Sequence, residues 1–309
     1  MAADGLSAPD GSGVISERPM LGVAAMLLNS IAIPLLGVVV KRLAEMEVAT
    51  LEMLAIRSAL TLGLLLPLLA LARHLAAVRA ADLRAHAVHA GFAIFTMACF
   101  YYALRTLPLL TVTAINFTTP IFALIFARLL FGEVVRPLGW AAMVVGFAGT
   151  LLVLRPDAGG ISVASGVVLL GSLSAAGMNL AVRRMPARST NYAVLFYFSL
   201  GGAIVYGVAA APVIGMPQAA EWPWLVGLAA IALFVHTCTT VAYRVASSML
   251  IGALDYARIV WAVLIGYVLL SEVPSALDAA GCLLIAASGI IVMRLGTARR
   301  PGRAPITPG

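Results

Sequence analysis

The hydrophobic positions of the chain form long runs that short polar segments interrupt. An α-helix needs about 20 apolar residues to cross a lipid bilayer, and most of these runs have that length. The connections carry turn-forming residues, as at Leu107-Pro108, 155–160 and Met185-Pro186. The pattern predicts an all-α integral membrane protein with ten transmembrane helices. We expect the spans at 20–40, 50–72, 87–105, 110–131, 138–154, 162–182, 192–212, 222–242, 250–270 and 277–293.

Composition supports the membrane assignment and excludes two classes of protein. Of the 309 residues, 62% are hydrophobic and 11% are charged, whereas soluble domains carry about 25% charged residues. A soluble enzyme is therefore excluded. Lys41 is the only lysine, and the sequence around it is not the Gly-Lys-Ser/Thr motif of a phosphate-binding loop. ATP-driven transport by this chain alone is excluded as well.

The distribution of basic residues predicts the orientation of the chain. Arginine clusters between the spans account for the net charge of +7, so they are topology signals and we expect no nucleic-acid partner. With the N-terminus inside, 14 basic residues face the cytoplasm, 4 face the other side and 2 lie within spans. This bias predicts a multi-pass protein of the inner (plasma) membrane with both termini cytoplasmic. Residues 1–19 are expected to be a disordered tail and 295–309 a basic tail.

The sequence offers no sign of bound metal or of catalysis. The cysteines Cys99, Cys238 and Cys282 all lie in apolar segments without CxxC spacing, so we expect neither a disulfide nor a metal site. The spans carry no HExxH-like motif or other converging catalytic groups, and we expect no cofactor. A membrane-embedded enzyme and a passive channel remain the alternatives from other classes.

An internal repeat emerges when the chain is aligned on itself so that Cys99 falls on Cys238. We call this superposition the repeat alignment. The window 99–155 then contains thirteen identities without a gap, including Glu133 on Glu272, where about five would arise by chance in a chain so rich in Ala and Leu. We expect two five-helix repeats, at 20–155 and 161–294. Because five is odd, the second repeat enters the membrane in the opposite orientation, and such inverted repeats are the architecture of secondary transporters.

The first repeat combines an aromatic-Ala-Leu stretch, a helix that carries a Pro and a closing Gly-Glu. The segments are Tyr101-Tyr102-Ala103-Leu104-Arg105-Thr106-Leu107-Pro108, Asn116-Phe117-Thr118-Thr119-Pro120 and Phe131-Gly132-Glu133. They resemble the EamA-type domain of the drug/metabolite transporter superfamily. The second repeat is similar, with Ile259 and Ser271 in place of the Pro and the Gly. The resemblance implies a carrier of small organic molecules and leaves the substrate open.

Asp255 and Arg258 are the first candidates for a substrate site. They lie three positions apart in the ninth span and share a helix face. Charges in a span are costly unless they are paired or face water. Arg258 can hold a carboxylate or phosphate, and Asp255 can bind an amine or exchange a proton. The alternative is an ion pair that only neutralises itself.

The repeat adds candidates from the fourth span. It superposes Asp255 on Asn116 and Arg258 on Thr119, which predicts one shared cavity. Pro120 removes a backbone hydrogen bond beside Asn116, as in the broken helices of transporter binding sites. An interhelical hydrogen bond is the equally weighted alternative for Asn116.

Single polar and aromatic residues complete the candidate substrate site. Asn29 and Asn179 fit either a substrate contact or an interhelical hydrogen bond. Tyr102, Tyr256 and Trp261 can stack on a flat substrate or pack between helices.

His236 in the eighth span is a further polar residue of this kind. It joins Asp255 as a candidate for proton coupling, because its imidazole would titrate near neutrality in a wet cavity. A packing hydrogen bond is the alternative.

Other charged residues are expected to have structural roles. Arg57 in the second span, with Glu52 nearby, predicts a gate or an inter-span ion pair rather than a substrate contact. Glu133 and Glu272 end the fourth and ninth spans, where each can cap the next helix or pair with Arg136 or a neighbouring loop.

These features predict a secondary transporter that moves a small polar or amphiphilic organic metabolite by alternating access. A net-neutral Asp/Arg pair with Asn groups suits an amino-acid-like zwitterion, and the resemblance implies efflux. The alternative is uptake of a flat cofactor-like molecule, a vitamin or an adenosyl compound, through the aromatic residues. The expected partners are the small-molecule substrate and the lipid bilayer. A loose small-xxx-small pattern at Gly146 and Thr150 leaves a homodimer open.

Overall fold

The computed structural model describes residues 19–71, 78, 82–131, 137–154, 162–183, 185, 189–212, 215–245, 251 and 254–295. These residues are helical with short turns and contain no strand. The predicted tails fall almost wholly outside them. The described helices are α1 Pro19–Glu45, α2 Thr50–Leu71, α3 Leu83–Leu104, α4 Leu109–Asn116, α5 Thr119–Phe131, α6 Pro137–Leu154, α7 Val163–Arg183, α8 Asn191–Ala210, α9 Trp222–Val245, α10 Ala257–Leu270 and α11 Ala276–Leu295.

Seven segments of the described chain are long and apolar enough to cross a membrane. They are α1, α2, α3, α4 together with α5, α7, α8 and α9. Three further apolar helices, α6, α10 and α11, are shorter. The all-α architecture and the membrane-spanning helices are confirmed, whereas the total of ten spans stays a prediction.

Two helix boundaries differ from the predicted spans for local reasons. The third helix begins at Leu83 rather than at 87, because the Asp82 side chain caps it by accepting the Ala85 backbone N–H at 3.1 Å. The fourth span is broken into α4 and α5 at Phe117 and Thr118.

The break in the fourth span has two local causes. The Thr118 hydroxyl donates to the carbonyl oxygen of Ile115 at 2.7 Å and stabilises a tight turn there. Pro120, in the first turn of α5, has no N–H to continue the α4 hydrogen-bond pattern.

Helix boundaries in the two halves of the chain coincide under the repeat alignment. Four pairs of boundaries agree to the residue: Leu71 with Ala210, Leu83 with Trp222, Phe131 with Leu270 and Pro137 with Ala276. The second half also breaks where the first does, because Leu254 and Asp255 are helical, Tyr256 is a turn and α10 starts at Ala257. Both halves therefore have the same helix order.

Helices of one half pack mainly on helices of the other. α1 packs on α9 and α3 packs on α7, which is the same contact with the halves exchanged. α2 packs on α8, and α6 packs on α11, so each of these helices contacts its own counterpart. The largest cluster of buried side chains accordingly draws from both halves and includes Leu43, Leu54, Ile115 and Leu225.

Glycines allow the backbones of α6 and α11 to contact each other. A Cβ atom on Gly149 would lie 2.7 Å from the Gly281 carbonyl oxygen, and one on Gly281 would lie 2.6 Å from the Gly149 carbonyl oxygen. Gly146 faces Ser288 of α11 in the same way. The Gly146 face is thus occupied within the chain, and the homodimer stays a prediction.

Candidate functional site

The two helix breaks meet inside the protein. Phe117, in the break between α4 and α5, stacks on Tyr256, in the break before α10, with ring centroids 4.6 Å apart and an interplanar angle of 19°. The two residues superpose under the repeat alignment. Both side chains are buried. The breaks thus form one place in the structure, which we call the break site: Asn116, Phe117, Thr119, Asp255, Tyr256 and Arg258.

Glycine 289 determines where the Tyr256 ring lies. A Cβ atom on Gly289 of α11 would overlap the hydroxyl and the adjacent ring carbons of Tyr256. The ring therefore occupies the volume that any other residue at position 289 would need. This contact holds Tyr256 against Phe117 and ties the break site to α11.

A polar pair bridges each break at matching positions. The Thr119 hydroxyl donates to the Asn116 side-chain oxygen at 3.1 Å. In the second half, an Arg258 Nη donates to the Asp255 carboxylate at 3.2 Å, with side-chain exposures of 12% and 27%. The structure thus brings together four of the predicted substrate residues, in two pairs of equal spacing.

The ion pair with Asp255 uses only some of the hydrogen-bond donors of Arg258. Its guanidinium lies over the Phe117 ring at 4.7 Å from the ring centroid, close enough for a cation–π contact. Its Nε is buried and has no hydrogen-bond partner among the described residues. An arginine has five N–H donors, so this one retains capacity for an anionic group. The break site combines that donor, a carboxylate, an amide and a two-ring aromatic surface.

The remaining predicted substrate residues lie elsewhere in the bundle. Asn29 in α1 is buried and donates to the Thr239 hydroxyl of α9 at 3.2 Å, while its side-chain oxygen has no partner among the described residues. Asn179 lies on the exposed surface of α7, and Tyr102 of α3 is 45% exposed. Trp261 is half-buried in α10. Their substrate roles stay predictions.

His236 and Arg57 both contact Phe198 of α8. The His236 ring lies 5.7 Å from the Phe198 ring, centroid to centroid. The Arg57 Cζ lies 5.8 Å from the Phe198 centroid. Within the described residues no ion pair joins Arg57 to Glu52, although both are buried. The predicted gate has no support from that contact and stays a prediction.

Glu272 caps a helix that is distant from it in the sequence, which the sequence analysis did not predict. Its carboxylate accepts the Leu109 backbone N–H at the start of α4 at 2.7 Å and pairs with Lys41 of α1 at 2.9 Å. The expected structural role is confirmed for Glu272, but the capped helix is not the next one. Glu133 and Arg136 lie outside the described residues.

Two buried histidines were also not singled out from the sequence. His86 and His89 lie in the first two turns of α3, and the His86 ring contacts the Tyr197 ring of α8 in a tilted arrangement with centroids 4.9 Å apart. The span starting at 87 places His86 in a loop, whereas the Asp82 cap brings it into the helix.

Comparison with known proteins identifies the first half. The family model described as the EamA-like transporter family matches residues 20–155. These residues are an EamA-like transporter domain. The EamA-type identity expected from the motifs is confirmed.

Relatives of this chain are named as transporters with different cargoes. It is 29% identical over 210 residues to the pseudopaline exporter CntI of Pseudomonas aeruginosa, covering 64% of this chain and 70% of that protein. It is 26% identical over 284 residues to a riboflavin transporter of Rhizobium johnstonii, covering 90% and 92%. It is 22% identical over 208 residues to an S-adenosylmethionine uptake transporter of Rickettsia prowazekii, covering 67% and 71%.

A solved structure shares the fold of this chain. It superposes with a TM-score of 0.63 at 20% identity and covers 90% of this chain and 96% of its own. Together the apolar helices, the family match and the relatives make this chain a multi-pass membrane transporter.

Proposed function

We propose that the protein is an inner-membrane secondary transporter with ten spans in two inverted repeats and both termini in the cytoplasm. The contact between Phe117 and Tyr256 carries this proposal, because it joins the helix breaks of the two halves at one buried place. Helix breaks near the bilayer centre are where secondary transporters bind substrate and coupling ions. Rocking of one half against the other would expose the break site to each side in turn.

The substrate we favour is an amino-acid-like zwitterion that the protein exports. Arg258 offers a free Nε to a carboxylate, while Asp255 offers a carboxylate oxygen to an amine. Asn116 and Thr119 add an amide and a hydroxyl from the matching break of the first half. The similarity to the pseudopaline exporter supports efflux.

Uptake of a flat cofactor-like molecule is the second candidate. The Phe117 and Tyr256 rings are nearly parallel, which is the arrangement into which another planar ring stacks. Relatives named for riboflavin and S-adenosylmethionine support this candidate. It would use the aromatic surface first and the charged pair second.

Counterflow in proteoliposomes tests transport and chooses between the candidates. Vesicles with the purified full chain are loaded with an unlabelled amino-acid mixture, riboflavin or S-adenosylmethionine, and uptake of the labelled compound is followed. A carrier gives saturable uptake that the internal compound accelerates, whereas a passive channel gives neither. Arg258→Ala should reduce amino-acid counterflow at unchanged expression, while Arg42→Ala, at an exposed pair with Glu45, should not. Normal transport by Arg258→Ala would show that the Asp255–Arg258 pair has only a structural role.

Single-cysteine labelling tests the orientation. The native cysteines are buried, so cysteines placed at the exposed positions Glu45 and Arg84 dominate labelling by a membrane-impermeant maleimide. The proposed topology puts Glu45 outside and Arg84 inside. Glu45→Cys should label in intact cells, and Arg84→Cys only after permeabilisation. Labelling of both from one side would contradict the ten-span topology.

A further inference from the structure

Arg57 is a buried charge without a polar partner in the described part of the chain. It lies two turns into α2 with 2% of its surface exposed. The Tyr101 ring of α3 and the Phe198 ring of α8 flank its guanidinium, each with its centroid 5.8 Å from Cζ. Within the described residues it forms neither a hydrogen bond nor an ion pair, and its Nε is fully buried.

The other buried or half-buried cations of the described chain have polar partners. Arg258 and Lys41 form ion pairs, and Arg105 donates to a backbone carbonyl. A buried ion without a counter-ion costs several kcal/mol, because the aromatic contacts replace only part of its lost hydration. A Leu or Met side chain would fill the same space without that cost. The unpaired guanidinium therefore indicates a place for an anion.

Three buried oxygen atoms on α2, α3 and α8, the helices around Arg57, have no partner among the described residues. They are the hydroxyl oxygens of Thr61, Tyr101 and Ser199. Thr61 follows Arg57 by one turn on the same face of α2, and Tyr101 contacts the guanidinium directly. Ser199 is the neighbour of Phe198 in α8. We call Arg57, Thr61, Tyr101 and Ser199 the α2–α8 polar cluster.

The backbones of α2 and α8 come close together beside this cluster. A Cβ atom on Gly202 of α8 would lie 2.8 Å from the Ser58 hydroxyl of α2. Ser58 adjoins Arg57, and Ser199 precedes Gly202 by one turn on the same helix face. The cluster residues of α2 and α8 thus lie on two helices, one from each half, that pack against each other.

The repeated architecture does not require a charge at this position. Under the repeat alignment Arg57 superposes on Phe196, Thr61 on Leu200 and Tyr101 on Thr240. The counterpart of the cluster in the second half thus has no cation. A packing role shared by both repeats therefore does not explain Arg57, whereas recognition of an asymmetric ligand does.

We propose that the α2–α8 polar cluster binds a carboxylate group of the transported molecule, with Arg57 as its counter-ion. The Tyr101 and Phe198 rings flank the guanidinium, and its N–H donors have no partner among the described residues, so they are available to a planar, bidentate carboxylate. Hydroxyl groups of Thr61, Tyr101 and Ser199 supply donors for the remaining carboxylate lone pairs. The assignment rests on the proposed transport function, because a side chain so buried meets a ligand only when the helices part. The transported molecule would then carry a carboxylate that binds the α2–α8 polar cluster, and this contact is separate from those at the break site.

The test compares carboxylates with their neutral amides on the detergent-purified full chain. Sodium acetate, benzoate and succinate are titrated against acetamide, benzamide and succinamide while the apparent melting temperature is recorded, because a ligand of the folded state raises it. We expect a saturable rise with at least one carboxylate and none with its amide. Arg57→Gln should weaken the apparent affinity at least about tenfold. Arg42→Gln should leave it unchanged.

The melting temperature of the ligand-free protein distinguishes a binding role of Arg57 from a packing role. Arg57→Met removes an uncompensated buried charge at similar volume, so its melting temperature should equal or exceed that of the wild type. A packing role predicts a lower one. The proposal is overturned if the wild type shows no carboxylate-specific rise, if the rise survives Arg57→Gln, or if only inorganic phosphate gives it.

Counterflow on the same preparation keeps the two proposals distinguishable. If vesicles transport an amino acid while no carboxylate shift occurs, the cluster assignment fails and transport stands. If the Arg57-dependent shift occurs while no compound is exchanged, carboxylate binding at the cluster stands and the proposed transport of these compounds fails.

Discussion

The Glu272 carboxylate accepts the backbone N–H of Leu109 at 2.7 Å, although the two residues are far apart in the sequence. Pro108 precedes Leu109 and provides no side-chain cap, so the first turn of α4 takes its acceptor from the second half of the chain. The same carboxylate pairs with Lys41 of α1 at 2.9 Å. One side chain thus links α1 and α4 to the segment between α10 and α11.

Glu272→Ala should lower the apparent melting temperature, equivalent to about 1–2 kcal/mol of unfolding free energy, because a cap and a half-buried ion pair are lost together. Glu45→Ala is the matched control. It removes the Arg42–Glu45 pair, whose side chains are 44% and 58% exposed, and such a pair contributes little. Equal effects of the two variants in thermal unfolding would show that the cap adds nothing.

Gly289→Ala should disrupt the break site. The added methyl group occupies the place of the Tyr256 hydroxyl, so Tyr256 must leave its stack on Phe117. We expect counterflow to fall at least about tenfold with the protein still inserted. Gly227→Ala is the control, because nothing lies within 4 Å of a Cβ atom at that helical position. Full activity of Gly289→Ala would argue that the stack is dispensable.

Asp255→Asn should abolish proton coupling if this carboxylate carries the proton. The substitution keeps the side-chain size and a hydrogen-bond acceptor for Arg258, but it removes the carboxylate. Counterflow measured across a pH series should become flat for the variant and remain pH-dependent for the wild type. An unaltered profile for Asp255→Asn would remove this residue from the coupling mechanism.

Ser271→Gly should stabilise the protein by about 0.5 kcal/mol, because Ser271 ends α10 with φ 55°, in the left-handed region that favours glycine. It stands where the first repeat has Gly132, so the substitution restores the residue of the other half. Ser271→Ala keeps the strain and should bring no gain in melting temperature. A gain from both substitutions would attribute the effect to the lost hydroxyl instead.

Gly281→Ala should separate α6 from α11. Its methyl group would lie 2.6 Å from the Gly149 carbonyl oxygen, a backbone atom that cannot rotate away. We expect a loss of about 2 kcal/mol or more in unfolding free energy, as for other overpacked helix contacts. Gly91→Ala of α3, with open space around it, should show no such loss. The comparison uses the same thermal unfolding assay.

Most of the break site was predictable, because its members are polar residues in apolar helices or lie beside them at a repeat spacing. Asn116 pairs with Thr119, and Asp255 pairs with Arg258 at the matching positions of the repeat alignment, whereas their shared substrate cavity stays a prediction. The break in the second half was less predictable, since Ile259 replaces the proline and the chain still turns at Tyr256. A helix break without proline depends on contacts with other helices.

Sequence alone determined the helical class, the apolar membrane spans and the EamA-like character of residues 20–155, and it predicts the repeat. Each of these follows from local features, such as the length of apolar runs, residue spacing and short motifs, which do not depend on how helices pack. Tertiary structure decided which charges are paired. Arg57 has Glu52 nearby in the sequence but lies between Tyr101 and Phe198, and Glu272 reaches Leu109 rather than the next helix. Those partners come from helices distant in sequence, and their identity depends on the packing of side chains between helices, which no local pattern encodes.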